Sequence, residues 1–188
     1  MRKSSLKFQM GLALVVAMIA AAFAIAPAGA SAGCDFGGLT AVETDLCTPA
    51  AKASLLASGE LIPPASAPAK VKAVIAAANR IRLKPYIYGG GHASFASRGY
   101  DCSGSVSFAL HGGKFLASPL PSGPLESWGE EGEGRWITVY ANAGHAYMTI
   151  AGFRFDTAGD TGIDETGPRW HEELLTNEGF VARHPAGF

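Results

Sequence analysis

The chain carries no surplus of charge of either sign. Fifteen Lys and Arg stand against sixteen Asp and Glu in 188 residues, a formal net charge of −1. That balance lacks the electrostatic footprint of a nucleic-acid binder or of a protein held on an anionic membrane surface. No paired-cysteine zinc spacing, Walker phosphate loop or dinucleotide glycine pattern is present, so nothing in the chain calls for a metal or a cofactor. No internal repeat is present either. Cysteine is scarce, with Cys34, Cys47 and Cys102 as the whole set. An odd number in so small a set leaves at least one sulfur to be explained.

What is present begins with a targeting pattern. Arg2, Lys3 and Lys7 form a basic start, Met10 to Ala26 is an uncharged and almost wholly apolar run, and Ala30-Ser31-Ala32 offers a small-residue cleavage site. This is the pattern of a secretory signal peptide over residues 1–32. The competing reading is a membrane anchor, because the run approaches a spanning length. Cleavage after Ala32 leaves 156 residues, enough for one domain with its own core, carrying 12 basic and 16 acidic residues, and no membrane span remains. Export places the protein in an oxidising compartment, where Cys34 and Cys47 pair most simply across a short loop and Cys102 stays free. Cys34 has a second reading as a lipidated N-terminus after Ser31-Ala32-Gly33, although a large aliphatic residue three places before it is absent.

Residues 33–70 read as a stapled arm followed by an Ala-, Ser- and Pro-rich linker or strap, with a short helix over 50–58 as one option and Pro63, Pro64 and Pro68 as breakers. One reading of the strap has it lying across a catalytic cleft as an inhibitory segment. A 71–188 domain follows. Val71, Val74, Ile75, Ala78 and Ile81 recur at helical spacing and predict a helix to about Leu83, before Pro85. Tyr86-Ile87-Tyr88 reads as a short strand ending in three glycines. A second helix runs from Asp101 or Cys102 to about His111, capped by Asp101 and stopped by Gly112-Gly113. Residues 112–135 read as a long irregular loop with an acidic stretch from Glu126 to Glu133. That stretch is either a solvated surface or a selector for a substrate amine. Strands are predicted over 136–140, 146–151, 153–157 and 180–183. Helices followed by closely connected strands give an α+β fold with an antiparallel sheet.

Cys102 opens its helix, where unpaired N–H groups and the positive end of the dipole favour the thiolate, the nucleophilic form of cysteine. His145 opens a strand, and alternation puts His145, Tyr147 and Thr149 on one face. Arg154 and Asp156 share a face of the next strand, so a tight turn at Gly152 brings His145 and Asp156 side by side. Cys102, His145 and Asp156 are therefore the candidate nucleophile, base and orienter. His171 is the rival third member, and Asp156 has a plainer reading as an ion-pair partner of Arg154. The backbone N–H of Cys102 and the Tyr86 hydroxyl are candidate oxyanion donors. His92 is a candidate for the substrate groove.

Three segments resemble the NlpC/P60 family of cell-wall peptidases: Pro85-Tyr86-Ile87-Tyr88-Gly89-Gly90, Asp101-Cys102-Ser103-Gly104, and His145 opening an apolar strand 43 residues after the cysteine. The resemblance implies a papain-like fold, with the nucleophile-bearing helix packed on the antiparallel sheet. It also implies a secreted cysteine endopeptidase acting at the bacterial cell wall on peptidoglycan stem peptides, with a D-glutamyl–diamino acid bond as the typical target and Tyr86, His92 and Ser103 on the oxyanion and substrate side. A monomer without cofactor fits that reading. The chain departs from the family at Asp156, where a second histidine is common, and at Gly134-Arg135-Trp136-Ile137, where a Gly-Asp-Leu run is often found. The alternatives are a thiol amidase or acyltransferase on another substrate, and an inactive wall-binding module.

Overall fold

A computed structural model describes residues 50–159, 165–172 and 174–188. The signal-peptide pattern, Cys34 and Cys47 lie outside the described residues. No helix among the described residues is long and apolar enough to cross a membrane.

The fold is α+β. Two-residue strands β1 (Ser54–Leu55) and β2 (Leu61–Ile62) form a small hairpin where a helix over 50–58 was one expectation. The chain is extended by Ser54–Leu55 and then reverses in a tight turn, the Leu56 N–H donating to the Glu60 carbonyl and Gly59 at φ +74°. Helix α1 (Ala69–Ile81) follows Pro68 and buries Val71, Val74, Ile75, Ala78 and Ile81. Helix α2 (Cys102–Gly112) is buried on most sides and crosses α1. Glycine is required at the crossing, since a Cβ at Gly112 would collide with the Ala77 Cβ. The residues expected to be linker or strap pack against this assembly. Ala53, Leu61 and Ala67 join the core, and Asn79 of α1 exchanges hydrogen bonds with the backbone of Leu61.

The 112–135 stretch is irregular as expected, with two short interruptions: α3 (Ser122–Leu125) and β3 (Glu130–Glu131). Leu125 plugs the core from this loop. The remaining strands are β4 (Ile137–Ala141), β5 (Ala146–Ile150), β6 (Phe153–Ala158), β7 (Glu165–His171) and β8 (Val181–His184). They form an antiparallel sheet in the order β3-β8-β4-β5-β6-β7. Strand β7 was not expected, because Gly167 and Pro168 break the usual strand signature. Its place at the sheet edge explains how proline is tolerated there.

Alternation divides the sheet cleanly. Val139, Ala141, Ala146, Met148, Ile150, Phe153, Phe155 and Trp170 share one core with α1 and α2. Thr138, Tyr140, Tyr147, Thr149, Arg154 and Asp156 take the alternate positions. The register joins Thr138, Thr149, Arg154 and His171 in one row and pairs Tyr140 with Tyr147 in the next.

Candidate active site

Helix α2 begins on Cys102 because Asp101 caps it. The Asp101 backbone is extended, and its Oδ1 accepts from the Gly104 N–H at 2.8 Å. The same carboxylate reaches backward, its Oδ2 accepting from the Gly89 N–H at 3.0 Å. One aspartate therefore fastens the glycine turn to the helix start. Gly104 makes the approach possible, since a Cβ there would strike the Gly90 carbonyl oxygen. Cys102 is the free cysteine among the described residues, buried at 8% exposure and lining a cleft of about 440 Å³.

His145 stands immediately before β5. Asn142 positions it through a side-chain turn, its Oδ1 accepting from the N–H groups of Gly144 and His145 at 2.9 Å each. His145 Nε2 lies 2.9 Å from Asp156 Oδ1. The Cys102 side chain lies close enough to the ring to raise its pKa, and with Nε2 committed to Asp156, Nδ1 is the nitrogen left for the sulfur. The His145–Asp156 contact is diagonal. Continuing the β5–β6 register from Ile150↔Phe153 through Met148↔Phe155 sets Tyr147 opposite Asp156, so the imidazole reaches back across one row.

Asp156 is fully buried and fully engaged. Its Oδ1 accepts from the Thr157 and Ala158 N–H groups at 2.7 and 3.1 Å as well as contacting His145. Its Oδ2 accepts from Arg154 Nη1 at 2.6 Å, and Arg154 is also wholly buried. Burial acts to raise the Asp156 pKa, but the hydrogen bond and charge of His145, the Ala158 N–H and the Arg154 charge together hold it below the usual carboxylate value. Burial likewise pulls His145 down. The hydrogen bonds and charges of Asp156 and Cys102 outweigh it and push the imidazole up to about 10.

The other expected site residues fall around the same cleft. Tyr86, His92 and Ser103 line it with Cys102. His92 Nε2 is 3.0 Å from Asp101 Oδ1 and 3.0 Å from Ser103 Oγ. Ser103 is nearly inaccessible, and its hydroxyl is engaged by His92 and Asp101. His171 sits in register with Arg154 on the outer side of β6, one strand further from Cys102 than Asp156 is. No residue between 50 and 70 lines the cleft, so this stretch does not lie across it. Glu133 of the acidic loop binds the Tyr140 hydroxyl, and the loop's contributions to the cleft are Pro121 and Ser122.

Sequence reasoning gave no site role to Tyr88, Ala143 or Gly144 and took Arg154 only as an alternative. Tyr88, 90% exposed, stands at the cleft and was read only as a motif position. Ala143 and Gly144, read only as a turn, form the opposite wall. Arg154 was weighed as an alternative partner for Asp156, whereas the structure gives Asp156 both partners at once, one on each oxygen. The alternation that put Arg154 and Asp156 on one face was the signal for this. Among the described residues no group of three metal-ligating side chains is assembled.

No family model matches the chain, and no curated protein does. Solved structures of NlpC/P60 proteins are among those it is similar to. One is the peptidoglycan hydrolase RipB of Mycobacterium tuberculosis, at 24% identity over 65% of this chain and 68% of that one, with a TM-score of 0.47. Another is an NlpC/P60 family protein of Bacillus cereus, at 20% identity over 67% of this chain and 42% of that one, with a TM-score of 0.46. A third is RipD of Mycobacterium tuberculosis, described as a non-catalytic NlpC/P60 domain protein adapted to peptidoglycan binding. It is 17% identical over 63% of this chain and 98% of that one, with a TM-score of 0.46.

Proposed function

We propose that this chain is a secreted NlpC/P60-type cysteine endopeptidase that hydrolyses amide bonds in peptidoglycan stem peptides, with Cys102, His145 and Asp156 as its catalytic set. The observation that carries the reading is the 2.9 Å contact of the His145 ring with the buried Asp156 carboxylate, with the Cys102 side chain acting on the same ring. Cys102 itself sits at a helix start open to a cleft. The wall substrate is supported by the Pro-Tyr-Ile-Tyr-Gly-Gly and Asp-Cys-Ser-Gly segments, both of which line that cleft, and by the signal-peptide pattern ahead of them. A D-glutamyl–diamino acid bond is the expected target.

In this mechanism the Cys102 thiolate adds to the carbonyl carbon of the scissile amide, and the carbonyl oxygen takes the negative charge. The Cys102 N–H, at the open end of the helix, and the Tyr86 hydroxyl are the proposed donors to that oxyanion. The His145 imidazolium gives its proton to the departing amine, the C–N bond breaks, and an S-acyl enzyme remains. Water then adds to the thioester, His145 accepts its proton, the C–S bond breaks, and a carboxylate product leaves. Asp156 keeps Nε2 of the ring as its hydrogen-bond donor throughout, so Nδ1 stays aimed at the sulfur. Arg154 and the two backbone N–H groups hold the carboxylate still.

The test is incubation of purified muropeptides of several stem types with the mature protein and with Cys102→Ala, followed by mass analysis of the products. Cleavage by the wild type alone is expected, with the mass of the trapped acyl-enzyme identifying the stem fragment. Equal inertness of both proteins across all stems would overturn the reading. A trapped acyl group of non-wall origin would point to the amidase or acyltransferase alternative.

A further inference from the structure

The proposed chemistry leaves His92 without a task, although its ring lines the Cys102 cleft and is held by both chain neighbours of the nucleophile. Its Nε2 lies 3.0 Å from Asp101 Oδ1, 2.9 Å from Asp101 Oδ2 and 3.0 Å from Ser103 Oγ. The backbone beneath the ring is fixed as well. The His92 N–H donates to the Gly89 carbonyl at 3.3 Å, and the Gly89 N–H donates to Asp101 Oδ2 at 3.0 Å. Between them Gly91, at φ +89°, packs so closely that a Cβ there would come within 2.8 Å of the Tyr100 ring.

These contacts assign the tautomer. A carboxylate only accepts, so an Nε2 in contact with both oxygens of Asp101 carries its proton. In the neutral ring Nδ1 is then the acceptor. Nδ1 has no partner among the described residues, and it is not sealed from solvent. The His92 side chain is 32% exposed, against 6% for Asp101. A solvent-facing lone pair on a fixed ring recognises an N–H or O–H donor and offers nothing to a carboxylate. Charge points the same way. Among the described residues no Lys or Arg lines the cleft, and its opposite wall is Pro121, Ser122, Ala143 and Gly144. The imidazolium of His145 already faces Asp156 and the Cys102 side chain. A substrate carboxylate brought beside Asp101 therefore meets a like charge and sheds water without gaining a cation.

We propose that His92 Nδ1 accepts a hydrogen bond from a substrate carboxamide next to the scissile bond, so that the protein takes amidated stem peptides in preference to those with a free carboxylate there. The inference rests on the peptidase reading for its substrate. A D-glutamyl residue at the scissile bond carries two carboxyl groups, one in the bond itself and the other a short aliphatic chain away. The second group is the one assigned to His92, whose ring is held by the residues on either side of Cys102.

The experiment uses synthetic stem peptides that differ only in that second group: carboxamide, methyl ester or free carboxylate. Turnover is measured with the mature protein, and binding of the intact peptides by calorimetry with Cys102→Ala. The ester is neutral but lacks the N–H, so it separates hydrogen bonding from charge. The carboxamide is expected to bind about fivefold or more tighter than the ester, the size of one hydrogen bond, and about tenfold or more tighter than the carboxylate. His92→Gln in the same background keeps an NH₂ for Asp101 but lacks the outward acceptor, and should bring the carboxamide within about twofold of the ester. The peptide series keeps the contact testable if that variant fails to fold. Equal binding of carboxamide and ester, tighter binding of the carboxylate, binding of none of the three, or an undiminished carboxamide preference in a folded His92→Gln overturns the proposal, whether or not any peptide is cleaved. A carboxamide preference in Cys102→Ala without turnover by the wild type supports the contact and overturns the peptidase reading instead.

Discussion

Replacing Asp156 by asparagine separates what this residue does for the fold from what it does for the histidine. The carboxylate divides its work: Oδ1 serves His145 and two backbone N–H groups, and Oδ2 serves Arg154. An asparagine that keeps its carbonyl at the Oδ1 position turns its NH₂ against the Arg154 guanidinium, donor against donor. The flipped amide puts the NH₂ against two backbone N–H groups instead. In either pose the buried guanidinium loses its 2.6 Å contact with this carboxylate. Removing one partner of a buried ion pair costs about 3–5 kcal/mol, so urea unfolding at pH 7 should show a loss of that order. Pairing Asp156→Asn with Arg154→Met removes the guanidinium that lost this contact and should recover most of the stability, leaving about 1–3 kcal/mol for an unsatisfied amide. Hydrolysis should not recover in the double variant. Without the carboxylate the imidazole loses its orienter, and a fall on the order of 10³–10⁴ in kcat is expected in both variants. The assay is therefore a pair of unfolding curves beside a pair of turnover measurements. Activity near wild type in Asp156→Asn would refute the reasoning and return His171 as the orienter. A double variant as unstable as the single would refute the ion-pair argument.

His145 is pushed up to about 10 from an ordinary 6.5, so the stability its charged form contributes is complete below pH 6.5 and is lost as pH rises toward 10. Unfolding midpoints at pH 6 and pH 10.5 should differ more in the wild type than in His145→Gln. Asp156, held below its ordinary 3.8, has the opposite sign. Its contribution is present above pH 3.8 and disappears on acidification through its folded value, and an acid-unfolding curve of Asp156→Asn should lack that component. Iodoacetamide should alkylate Cys102 faster at pH 7 in the wild type than in His145→Gln, and mass mapping should find the label on that residue. Gly104→Ala should unfold or lose about 3 kcal/mol or more, because the new methyl meets the fixed carbonyl of Gly90. A thermal melt within two degrees of wild type would contradict that.

The elements legible in the sequence were those with one dominant local signal. The period of Val71, Val74, Ile75, Ala78 and Ile81 gave α1, and the Asp101 cap gave the start of α2 to within a residue. Alternation from His145 onward gave β5 and β6 and put Arg154 and Asp156 on a common face. The elements that stayed hidden depend on distant partners. Strand β7 carries Gly167 and Pro168, which break the strand signature, and pairing along β6 stabilises it at an edge where proline removes no needed donor. The β1–β2 hairpin, two residues per strand, has no periodicity to detect. The long reach of Asn79, which bonds Leu61 and the Trp170 indole, brings β2 and β7 onto α1. Register was the finer loss at the site. A turn at Gly152 predicts neighbouring strands, but adjacent and diagonal pairing differ by two residues, and only the observed β5–β6 pairing places Tyr147 between the imidazole and the next row.

That diagonal makes the plain and the functional readings of Asp156 compatible. A carboxylate directly opposite His145 would have to hold the ring and satisfy its own burial with the same lone pairs. Set one row away, Asp156 can turn Oδ2 to Arg154, two residues earlier on its own strand, and take the Thr157 and Ala158 N–H groups beside the irregular pairing between Asp156 and Ala158. These contacts offset the cost of burying the charge without using the direction of the imidazole. A carboxylate pinned on three sides has little rotamer freedom to lose when the histidine becomes charged, so the response of the site to that charge is built in before any substrate arrives. A histidine at position 156 would be held differently. Its ring could pass one hydrogen bond to His145, but it would bring no carboxylate to the Arg154 guanidinium, so the ion pair between 156 and 154 would be lost. The test is direct: Asp156→His alone should destabilise the protein about as much as Asp156→Asn, while Asp156→His with Arg154→Met should recover stability and regain part of the turnover.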